Sequence, residues 1–302
     1  MALATLGDSR CKLEYLNEGG ANLVFRILPN GNDSLSQRLH RKLLRLRKQP
    51  VDNAADLVEG AEQWMAILPA DNLIGHELIE LGPDTMTIVN NLLAGIEGRS
   101  THRTNDFWPG STHGVLITDM SPRPNEELVE LKPKWLVQSP TAPSNTKRCR
   151  TCALRAHRGI EKGVVTATDA QGSCPLDLVS DVRQNRRLAG ERLTDISRVR
   201  EYLVEEAQPL LHTLRQYQRE WDPNGALSVK TDSEARDLSM AMTIRDCTLF
   251  VLVNSTGEVE ARLGDLDAKG SEKLGRWQAT EESLLEGGWY LGQDEICSLS
   301  RS

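Results

Sequence analysis

Residues 241–253 form an almost continuous run of apolar and β-branched side chains, which only Arg245 and Asp246 interrupt with charge. Such a run is expected to be buried, and burying a charged group is costly unless a partner compensates it. Asp265 follows further along the chain, and the residues between the two acids have the pattern of a short β-hairpin. Two carboxylates that flank one hairpin suit a proton acceptor and a magnesium ligand, whereas a solvent-facing hairpin is the alternative interpretation.

A second hairpin is predicted near the N-terminus, with strands at 11–16 and 23–28 and a turn at 17–22. The turn contains Gly19 and Gly20, and a glycine-rich turn lets backbone N–H groups approach phosphates without obstruction from side chains. An ordinary hairpin turn would use the same residues, so the pattern leaves both interpretations open. The P-loop pattern GxxxxGK followed by Ser or Thr does not occur in the sequence, which disfavours a P-loop enzyme.

The remaining segments predict a mixture of strands and helices. Strands are predicted at 77–81, 114–120 and 128–132, helices at 51–68, 148–160 and 181–220, and a loop at 99–113. Residues 39–48 end with the alternation of a strand, but leucines at 35, 39, 43 and 46 would also share one stripe of a helix. The proline-rich connection at 121–124 favours a nearby boundary. We therefore predict an α+β fold with two lobes, 1–118 and 119–302.

The segment 130–135 reads Glu-Leu-Lys-Pro-Lys-Trp. If the chain is extended there, side chains alternate with period two, so Glu130, Lys132 and Lys134 project to one side. The acid could then hold a ribose hydroxyl while the two lysines neutralise phosphates. A polar strand edge is the alternative.

The charge of the chain is unevenly distributed. The formal net charge is −7, which argues against non-specific nucleic-acid binding, because such binding depends on a surplus of Lys and Arg. Residues 132–162, however, contain eight basic residues and a single acid, Glu161. A basic island in an acidic protein predicts a compact polyanion as ligand, with a solvated basic helix face as the alternative.

Six cysteines are spread through a chain that lacks the pattern of a secretory signal, so reduced thiols and a location in the nucleus or cytoplasm are expected. No stretch is long and apolar enough to predict a membrane span. Cys149 and Cys152 have the spacing of half a zinc site, but no second pair follows at a usual spacing and His157 is the nearest further ligand. The sequence therefore favours two ordinary, partly buried cysteines.

Several motifs together resemble the inositol-pentakisphosphate 2-kinase family, in its compact, fungal-like form. The matching segments follow the family's order and are Glu18-Gly19-Gly20-Ala21-Asn22-Leu23-Val24, Glu130-Leu131-Lys132-Pro133-Lys134-Trp135, Cys149-Arg150-Thr151-Cys152, Cys174-Pro175-Leu176-Asp177-Leu178, Arg245-Asp246-Cys247-Thr248 and Asp265-Leu266-Asp267-Ala268-Lys269. The resemblance implies a divergent two-lobed kinase fold. It also implies transfer of a phosphoryl group from ATP, with Mg²⁺, to the axial 2-hydroxyl of inositol 1,3,4,5,6-pentakisphosphate, giving inositol hexakisphosphate.

The resemblance assigns a role to individual residues of this chain. Asp246 would take the hydroxyl proton and Asp265 would hold Mg²⁺ on the ATP phosphates. ATP itself would be bound by Gly19, Gly20, Ala21, Asn22, Val24, Arg45, Asp119 and Glu130, with Arg45 in place of the familiar kinase lysine, Asp119 near adenine and Glu130 on the ribose. The substrate phosphates would be bound by Lys132, Lys134, Arg150, Arg158, Lys269 and Lys273.

The chain departs from the family pattern at a few of these contacts. A Met-His-Gln stretch of the family reads Ala153-Leu154-Arg155 here, an asparagine pair reads Tyr217-Gln218, and a late Tyr or Arg corresponds to Trp277 or Lys273. A non-catalytic inositol-phosphate sensor or scaffold is the alternative to an enzyme. An ordinary protein kinase is disfavoured, because the DFG and HRDxxxxN patterns are absent from the sequence. A monomer that acts on a small molecule, without direct nucleic-acid binding, is expected.

Overall fold

The computed structural model describes residues 5–6, 11–31, 33–49, 55–97, 99, 107–161 and 172–301. These residues form helices and sheets together, which confirms the predicted α+β class. They divide into two compact units, Met1–Ser121 (unit 1) and Pro122–Ser302 (unit 2). The predicted boundary between residues 118 and 119 lies close to this division, and the kinase-like relation of the two lobes stays a prediction.

Unit 1 is built on a six-stranded sheet. Its strands are β1 (Thr5–Leu6), β2 (Cys11–Glu18), β3 (Asn22–Pro29), β4 (Lys42–Arg47), β5 (His76–Leu81) and β6 (His113–Thr118). The strand order is β1-β5-β6-β4-β3-β2, and all neighbours are antiparallel except β1 and β5. The predicted glycine hairpin is confirmed as β2 and β3.

One face of this sheet carries the core of unit 1. Leu23 and Phe25 of β3 lie opposite Leu46 and Leu44 of β4, and all four side chains are buried in one cluster. Because side chains alternate along a strand, the residues between them, such as Val24, lie on the other face of the sheet. The alternation in the sequence thus separates a core face from a face that is left for other contacts.

Among the described residues of unit 1, three helices accompany the sheet: α1 (Ser34–Leu39), α2 (Asp56–Met65) and α3 (Thr85–Ala94). The side chain of Asp33 caps α1 by accepting a hydrogen bond from the backbone N–H of Ser36 at 2.8 Å. The chain then leaves the helix through Arg41, whose φ of 57° is left-handed, and enters β4. Both interpretations of residues 39–48 are therefore correct in part, since the leucine stripe is helical up to Leu39 and extended beyond Lys42.

Unit 2 combines a three-stranded antiparallel sheet with eight helices within its described residues. The strands are β7 (Glu127–Leu131), β8 (Thr248–Val253) and β9 (Val259–Gly264), in the order β7-β8-β9. The helices are α4 (Arg150–Glu161), α5 (Pro175–Leu178), α6 (Arg183–Leu193), α7 (Ser197–Val204), α8 (Gln208–Glu220), α9 (Asp232–Ile244), α10 (Leu274–Glu286) and α11 (Ser298–Arg301). The helices predicted at 148–160 and 181–220 are confirmed, the second as three separate helices.

The apolar run at 241–253 belongs to two elements. It begins as the last turn of α9, which opens with a capping box between Thr231 and Glu234, and it ends as β8. The charged pair Arg245-Asp246 occupies the turn between helix and strand. No helix in the described ranges combines the length and the apolar character that crossing a membrane requires.

Candidate active site

Asp246 stands just before β8 and Asp265 directly after β9, so the two acids flank one hairpin as predicted. The carboxylate of Asp246 accepts hydrogen bonds from Nζ of Lys134 and from Nζ of Lys269, both at 2.9 Å. Partial burial raises the pKa of Asp246, but the two ammonium groups outweigh this effect and lower the pKa to about 2. Asp246 is therefore ionised at neutral pH.

Lys132 lies between the two acids. Its Nζ donates to the backbone oxygen of Asp246 at 2.7 Å and to Oδ2 of Asp265 at 3.3 Å. The hydroxyl of Thr248 donates to the same carboxylate oxygen of Asp265. The side chain of Asp265 is nevertheless 61% exposed. The ammonium beside it shows that this position is suited to a cation.

The prediction that Glu130, Lys132 and Lys134 project together from an extended chain is wrong. Strand β7 ends at Leu131, and Lys134 has a left-handed φ of 60°. The buried amide of Gln218 fixes this turn, because it donates to the backbone oxygen of Lys134 and accepts from the backbone N–H of Leu136, both at 2.9 Å. The two lysines reach Asp246 through this turn, while Glu130 is exposed on β7 opposite Phe250.

Arg245 explains how a charge is tolerated beside an apolar run. Its guanidinium is fully buried, forms an ion pair with Asp222 at 2.6 Å and donates to the backbone oxygen of Gln218 at 3.1 Å. It also lies 3.5 Å from the ring centroid of Trp135, a cation–π contact. Burial lowers the pKa of Arg245 to about 10, against the opposing effect of Asp222, so the group stays charged at neutral pH. Arg245 thus anchors the turn that presents Asp246.

Arg150, predicted to bind a substrate phosphate, is only 5% exposed. Its Nε donates to Glu281 at 3.1 Å, and its guanidinium lies 4.2 Å from the ring centroid of Trp135. Glu281 also accepts hydrogen bonds from the hydroxyls of Ser139, Thr141 and Tyr290. Arg150 therefore has a buried ion-pair partner, Glu281, whether or not it also binds a ligand. The sequence did not indicate this pairing.

A cavity of about 730 Å³ opens beside Asp246 within unit 2. It is lined by the turn after β7, by α4, by the end of α9 and by the segment that leads into α10. Eight lining side chains are basic: Lys134, Arg150, Arg155, Arg158, Arg245, Lys269, Lys273 and Arg276. Asp246 is the one acid among the described lining residues. An enclosure with this surplus of positive charge is suited to a compact polyanion.

The cavity uses only part of the predicted basic island. Arg148, for example, donates to backbone oxygens of Trp289 and Gln293 instead. Lys162, the last member of the island, lies outside the described residues. The other basic residues of the cavity come from α9 and from the approach to α10, far away in the sequence. The basic residues of α4 therefore do not form a simple solvated helix face. They line one side of a cavity whose other basic residues come from distant parts of the sequence.

Some lining residues were missed or left open by the sequence. Arg276 was not selected, although its position three residues after Lys273 places both on one side of a helix. Arg155 and Trp277, which stand at positions where the family pattern changes, both line the cavity. Gln218 does not line it, because its amide is committed to the backbone on either side of Trp135.

The residues predicted to bind ATP phosphates form the tip of the β2–β3 hairpin. The backbone N–H of Gly19 donates to the oxygen of Asn22 at 2.9 Å, and the backbone oxygen of Ala21 accepts from Lys48 at 2.8 Å. Neither Gly19 nor Gly20 has a left-handed φ, and a Cβ added to either would meet nothing within 4 Å. The fold of the turn itself therefore does not require glycine, which leaves close approach by a ligand as a reason for it.

Val24, Arg45 and Val115 lie side by side on three adjacent strands, on the face of the sheet opposite the core of unit 1. Asp119 follows β6, and its carboxylate accepts a hydrogen bond from the backbone N–H of Ser121 at 2.8 Å. The backbone N–H of Asp119 bonds to Arg41 at the start of β4. The predicted adenine and phosphate contacts thus lie towards opposite ends of β4, as an extended nucleotide would require.

Glu18 opens the hairpin tip and is buried. It accepts hydrogen bonds from Nε and Nη2 of Arg99 at 2.8 and 3.2 Å and lies 2.7 Å from Nζ of Lys48. The hydrogen bond from Arg99 is the largest cause that lowers the pKa of Glu18 to about 2. Within unit 1, Arg99 therefore anchors the base of the hairpin tip.

The expectation that Cys149 and Cys152 are only partly buried is wrong. Both are fully buried and form one cluster with Cys174 and Cys297, which are distant in the sequence. His157, the further ligand suggested by the sequence, instead lies against the ring of Trp289. The spacing of Cys149 and Cys152 indicated only half of this cluster, because Cys174 and Cys297 lie far from them in the sequence.

Comparison with known proteins points to one family. A family model described as inositol-pentakisphosphate 2-kinase matches residues 15–195 and 183–283. An inositol-pentakisphosphate 2-kinase of Yarrowia lipolytica is 32% identical over 318 aligned residues, which cover 95% of this chain and 96% of that protein. One of Kluyveromyces lactis is 31% identical over 156 residues, about half of each chain.

Proposed function

The chain belongs to the inositol-pentakisphosphate 2-kinase family, and from this premise we propose that it transfers the γ-phosphoryl group of ATP to the 2-hydroxyl of inositol pentakisphosphate. The product is inositol hexakisphosphate. The observation that carries the proposal is the position of Asp246, held by Lys134 and Lys269 in the wall of a cavity lined by eight basic side chains.

The charge of the cavity suits this substrate. Five phosphates at about −1.5 to −2 each give the substrate a charge of roughly −8 to −10. A cavity of about 730 Å³ also lies within the usual range for small-molecule sites, roughly 300–1,000 Å³. A singly phosphorylated competitor would leave most of the lining cations without a partner, which disfavours its binding. We expect the substrate phosphates to be bound by Lys134, Lys269, Lys273 and Arg158. The buried Arg150 contributes positive charge to the wall of the same cavity.

Asp246 acts on the hydroxyl that attacks. The O–H bond of the 2-hydroxyl breaks, its oxygen bonds to the γ-phosphorus, and the bond from that phosphorus to the β-phosphate oxygen breaks as ADP leaves. Asp246 accepts the hydrogen bond of the hydroxyl, orients it and receives the proton, which then passes to solvent. A carboxylate whose pKa is about 2 is a weak base. In a loose transition state, however, orientation of the nucleophile matters more than early deprotonation.

The lysines around Asp246 couple the pKa of this carboxylate to the binding of substrate. Lys134 and Lys269 both donate hydrogen bonds to the carboxylate of Asp246. Substrate phosphates offer these ammonium groups stronger, more highly charged acceptors. As the lysines turn towards the phosphates, the carboxylate loses the bonds that lower its pKa, and its affinity for the hydroxyl proton rises.

Asp265 is the residue we expect to hold Mg²⁺. Its exposed carboxylate, with the ammonium of Lys132 at 3.3 Å, offers hard oxygen atoms in a place that already attracts a cation. When bound, the ion neutralises charge on the β- and γ-phosphates of ATP. Thr248 keeps one carboxylate oxygen oriented, and Lys132 is free to move to a phosphate.

ATP is expected on the side of the unit 1 sheet that is not covered by its core. The open backbone at Gly19 and Gly20 fits phosphates, and the neighbouring side chains of Val24 and Arg45 fit the nucleoside and its phosphates. Asp119 is expected at the adenine, and the exposed carboxylate of Glu130 at the ribose.

The experiment is transfer of radiolabelled γ-phosphate from ATP, with Mg²⁺, to a panel of inositol phosphates. We expect label in the pentakisphosphate that has a free 2-hydroxyl. We expect Asp246→Asn to lower kcat by about 10²–10⁴-fold, and the matched control Asp237→Asn, on the exposed side of α9, to keep full turnover. Tight binding of pentakisphosphate without transfer by the wild-type protein would instead identify a sensor or scaffold. Full turnover of Asp246→Asn would remove Asp246 from its role.

A further inference from the structure

Gln218 belongs to α8, yet its side chain contacts the turn that presents Lys134. The side chain is fully buried. Its amide nitrogen donates to the backbone oxygen of Lys134, and its amide oxygen accepts from the backbone N–H of Leu136, both at 2.9 Å. We propose that Gln218 is a positioning residue, which holds the turn 134–136 so that Nζ of Lys134 faces Asp246 and the cavity. This role rests on the proposed function, which places Lys134 on a substrate phosphate.

The turn after β7 has a backbone conformation that its own residues do not favour. Lys134 has a left-handed φ of 60°, which a residue with a Cβ adopts only at a cost. Pro133, directly before it, has no backbone N–H to donate. A side-chain amide offers a donor and an acceptor, as a peptide group does. Gln218 can therefore bond both ends of the turn, in the way that a neighbouring strand would.

The turn places two groups of the site at once. Lys134 reaches the carboxylate of Asp246 at 2.9 Å. Trp135, the next residue, lies with its ring centroid 4.2 Å from the guanidinium of Arg150 and 3.5 Å from that of Arg245. A shift of the turn would therefore move a cavity cation relative to Asp246. Misplacement by about 1 Å can cost roughly 100-fold in rate.

Gln218 also contacts the turn that presents Asp246. Its backbone oxygen accepts a hydrogen bond from Nη2 of Arg245 at 3.1 Å, and Arg245 directly precedes Asp246. One residue of α8 thus joins the two turns that carry Lys134 and Asp246. A substitution of the side chain removes the bonds to the first turn and leaves the backbone oxygen for the second.

A direct contact of Gln218 with substrate fits the structure less well. Both groups of its amide are bonded to backbone, and the residue is not among the described residues that line the cavity. A phosphate could reach the amide only after these buried hydrogen bonds had broken, which would leave backbone groups unpaired. The neighbouring Tyr217 is engaged elsewhere, since its ring stacks on that of Trp221 at 4.8 Å between centroids.

The first test is a double-mutant cycle of Gln218→Met and Lys134→Met, with the Kd for inositol hexakisphosphate measured by calorimetry. Lys134→Met is expected to weaken binding by about 10–100-fold. Gln218→Met should weaken it by about tenfold in the wild-type background but by less than about twofold in the Lys134→Met background, because it acts through Lys134. An equal loss in both backgrounds would overturn the proposal, since a separate ligand contact or a general loss of structure gives that result.

Gln208→Met is the matched control on the same helix. The amide of Gln208 also bonds backbone, donating to the oxygens of Leu178 and Leu203 at 3.1 and 2.7 Å. We expect this variant to lower the melting temperature and to leave the Kd unchanged. The same loss of affinity in Gln208→Met as in Gln218→Met would contradict a specific role for Gln218. If Gln218→Met does not fold, the cycle is measured with Gln218→Asn, which keeps the amide on a shorter side chain, and the same outcomes decide.

The second test is turnover. Gln218→Met is expected to lower kcat by about 10–100-fold, with the KM for ATP unchanged, and an unchanged kcat would contradict the proposal. The two proposals can fail separately. A wild-type protein that binds inositol hexakisphosphate without phosphoryl transfer would refute the proposed function, while the binding cycle would still decide the role of Gln218. Full wild-type turnover with an additive cycle would refute only the positioning role.

Discussion

Unit 2 holds two groups of positive charge that differ in whether an acid compensates them. Arg245 and Arg150 are buried, and each is paired with a buried acid, Asp222 or Glu281. Lys273 and Arg276 are exposed at the cavity and form no ion pair with any residue that the structure describes. Both groups line the cavity beside Asp246.

The difference distinguishes cations that hold the fold in place from cations that are available to bind a ligand. A buried cation without a partner is too costly to keep, so a paired arginine in the core serves the fold. A cation that faces a cavity without an acid is stabilised by water until a ligand anion replaces the water. Asp246 lies between the two groups, because its half-exposed carboxylate is bonded to two lysines that ligand phosphates can draw away.

The largest effect is expected when a buried pair is broken. Asp222→Asn leaves the guanidinium of Arg245 buried without a counter-charge, and we expect the free energy of unfolding to fall by about 3–5 kcal/mol. Denaturant unfolding followed by circular dichroism measures it. The control Asp237→Asn changes an exposed carboxylate and is expected to stay within about 0.5 kcal/mol. A loss for Asp222→Asn no larger than that of the control would break the distinction between the two groups.

The same rule is expected to hold in unit 1, where Glu18 is paired with Arg99 and Lys48. The pKa of Glu18 is about 2 in the folded protein, below its ordinary value of 4.5. The unfolded state therefore binds the proton first as the pH falls, so the stabilising effect of Glu18 is complete above pH 4.5 and disappears towards pH 2. Wild type is expected to be more stable than Glu18→Gln at pH 7, with a difference that shrinks over this range. Unfolding curves at several pH values measure it, and a constant difference would contradict the pairing.

For the cavity cations the expected effect is on binding and not on stability. Arg276→Ala removes a guanidinium that has no ion-pair partner among the described residues. A lost charge-assisted hydrogen bond costs roughly 1.5–3 kcal/mol, or about 10–100-fold in Kd. Calorimetric titration with inositol hexakisphosphate measures it, and the loss should be smaller at high salt because charges are screened. Arg236→Ala, an exposed arginine of α9 outside the cavity, is the matched control. Equal affinity of the two variants would show that Arg276 does not face the ligand.

The sequence predicts well those structural elements that are determined by residues close together in the chain. The hairpin between Asp246 and Asp265 and the hairpin that carries Gly19 follow from local alternation and turn residues. The left-handed turn at Lys134 was not predicted, because it is set by Gln218, 84 positions away. The cysteine cluster was missed for the same reason, since Cys149 and Cys297 are 148 positions apart. Charge patterns located the cavity in part, but they could not tell a buried arginine such as Arg150 from an exposed one.

The smallest effect on stability, and the sharpest contrast with the charged groups, is expected at Gly20. A Cβ there meets nothing within 4 Å and the backbone conformation is ordinary, so Gly20→Ala should leave the free energy of unfolding unchanged or raise it by about 0.4–1 kcal/mol. The same methyl group would obstruct phosphates that approach the backbone, so the KM for ATP should rise while that for the inositol phosphate stays constant. Gly257→Ala, in the β8–β9 turn with a left-handed φ of 85°, is the opposite control, because it should lose stability without changing the KM for ATP. Gly20→Ala with an unchanged KM for ATP would mean that this turn is an ordinary hairpin and that the nucleotide phosphates bind elsewhere.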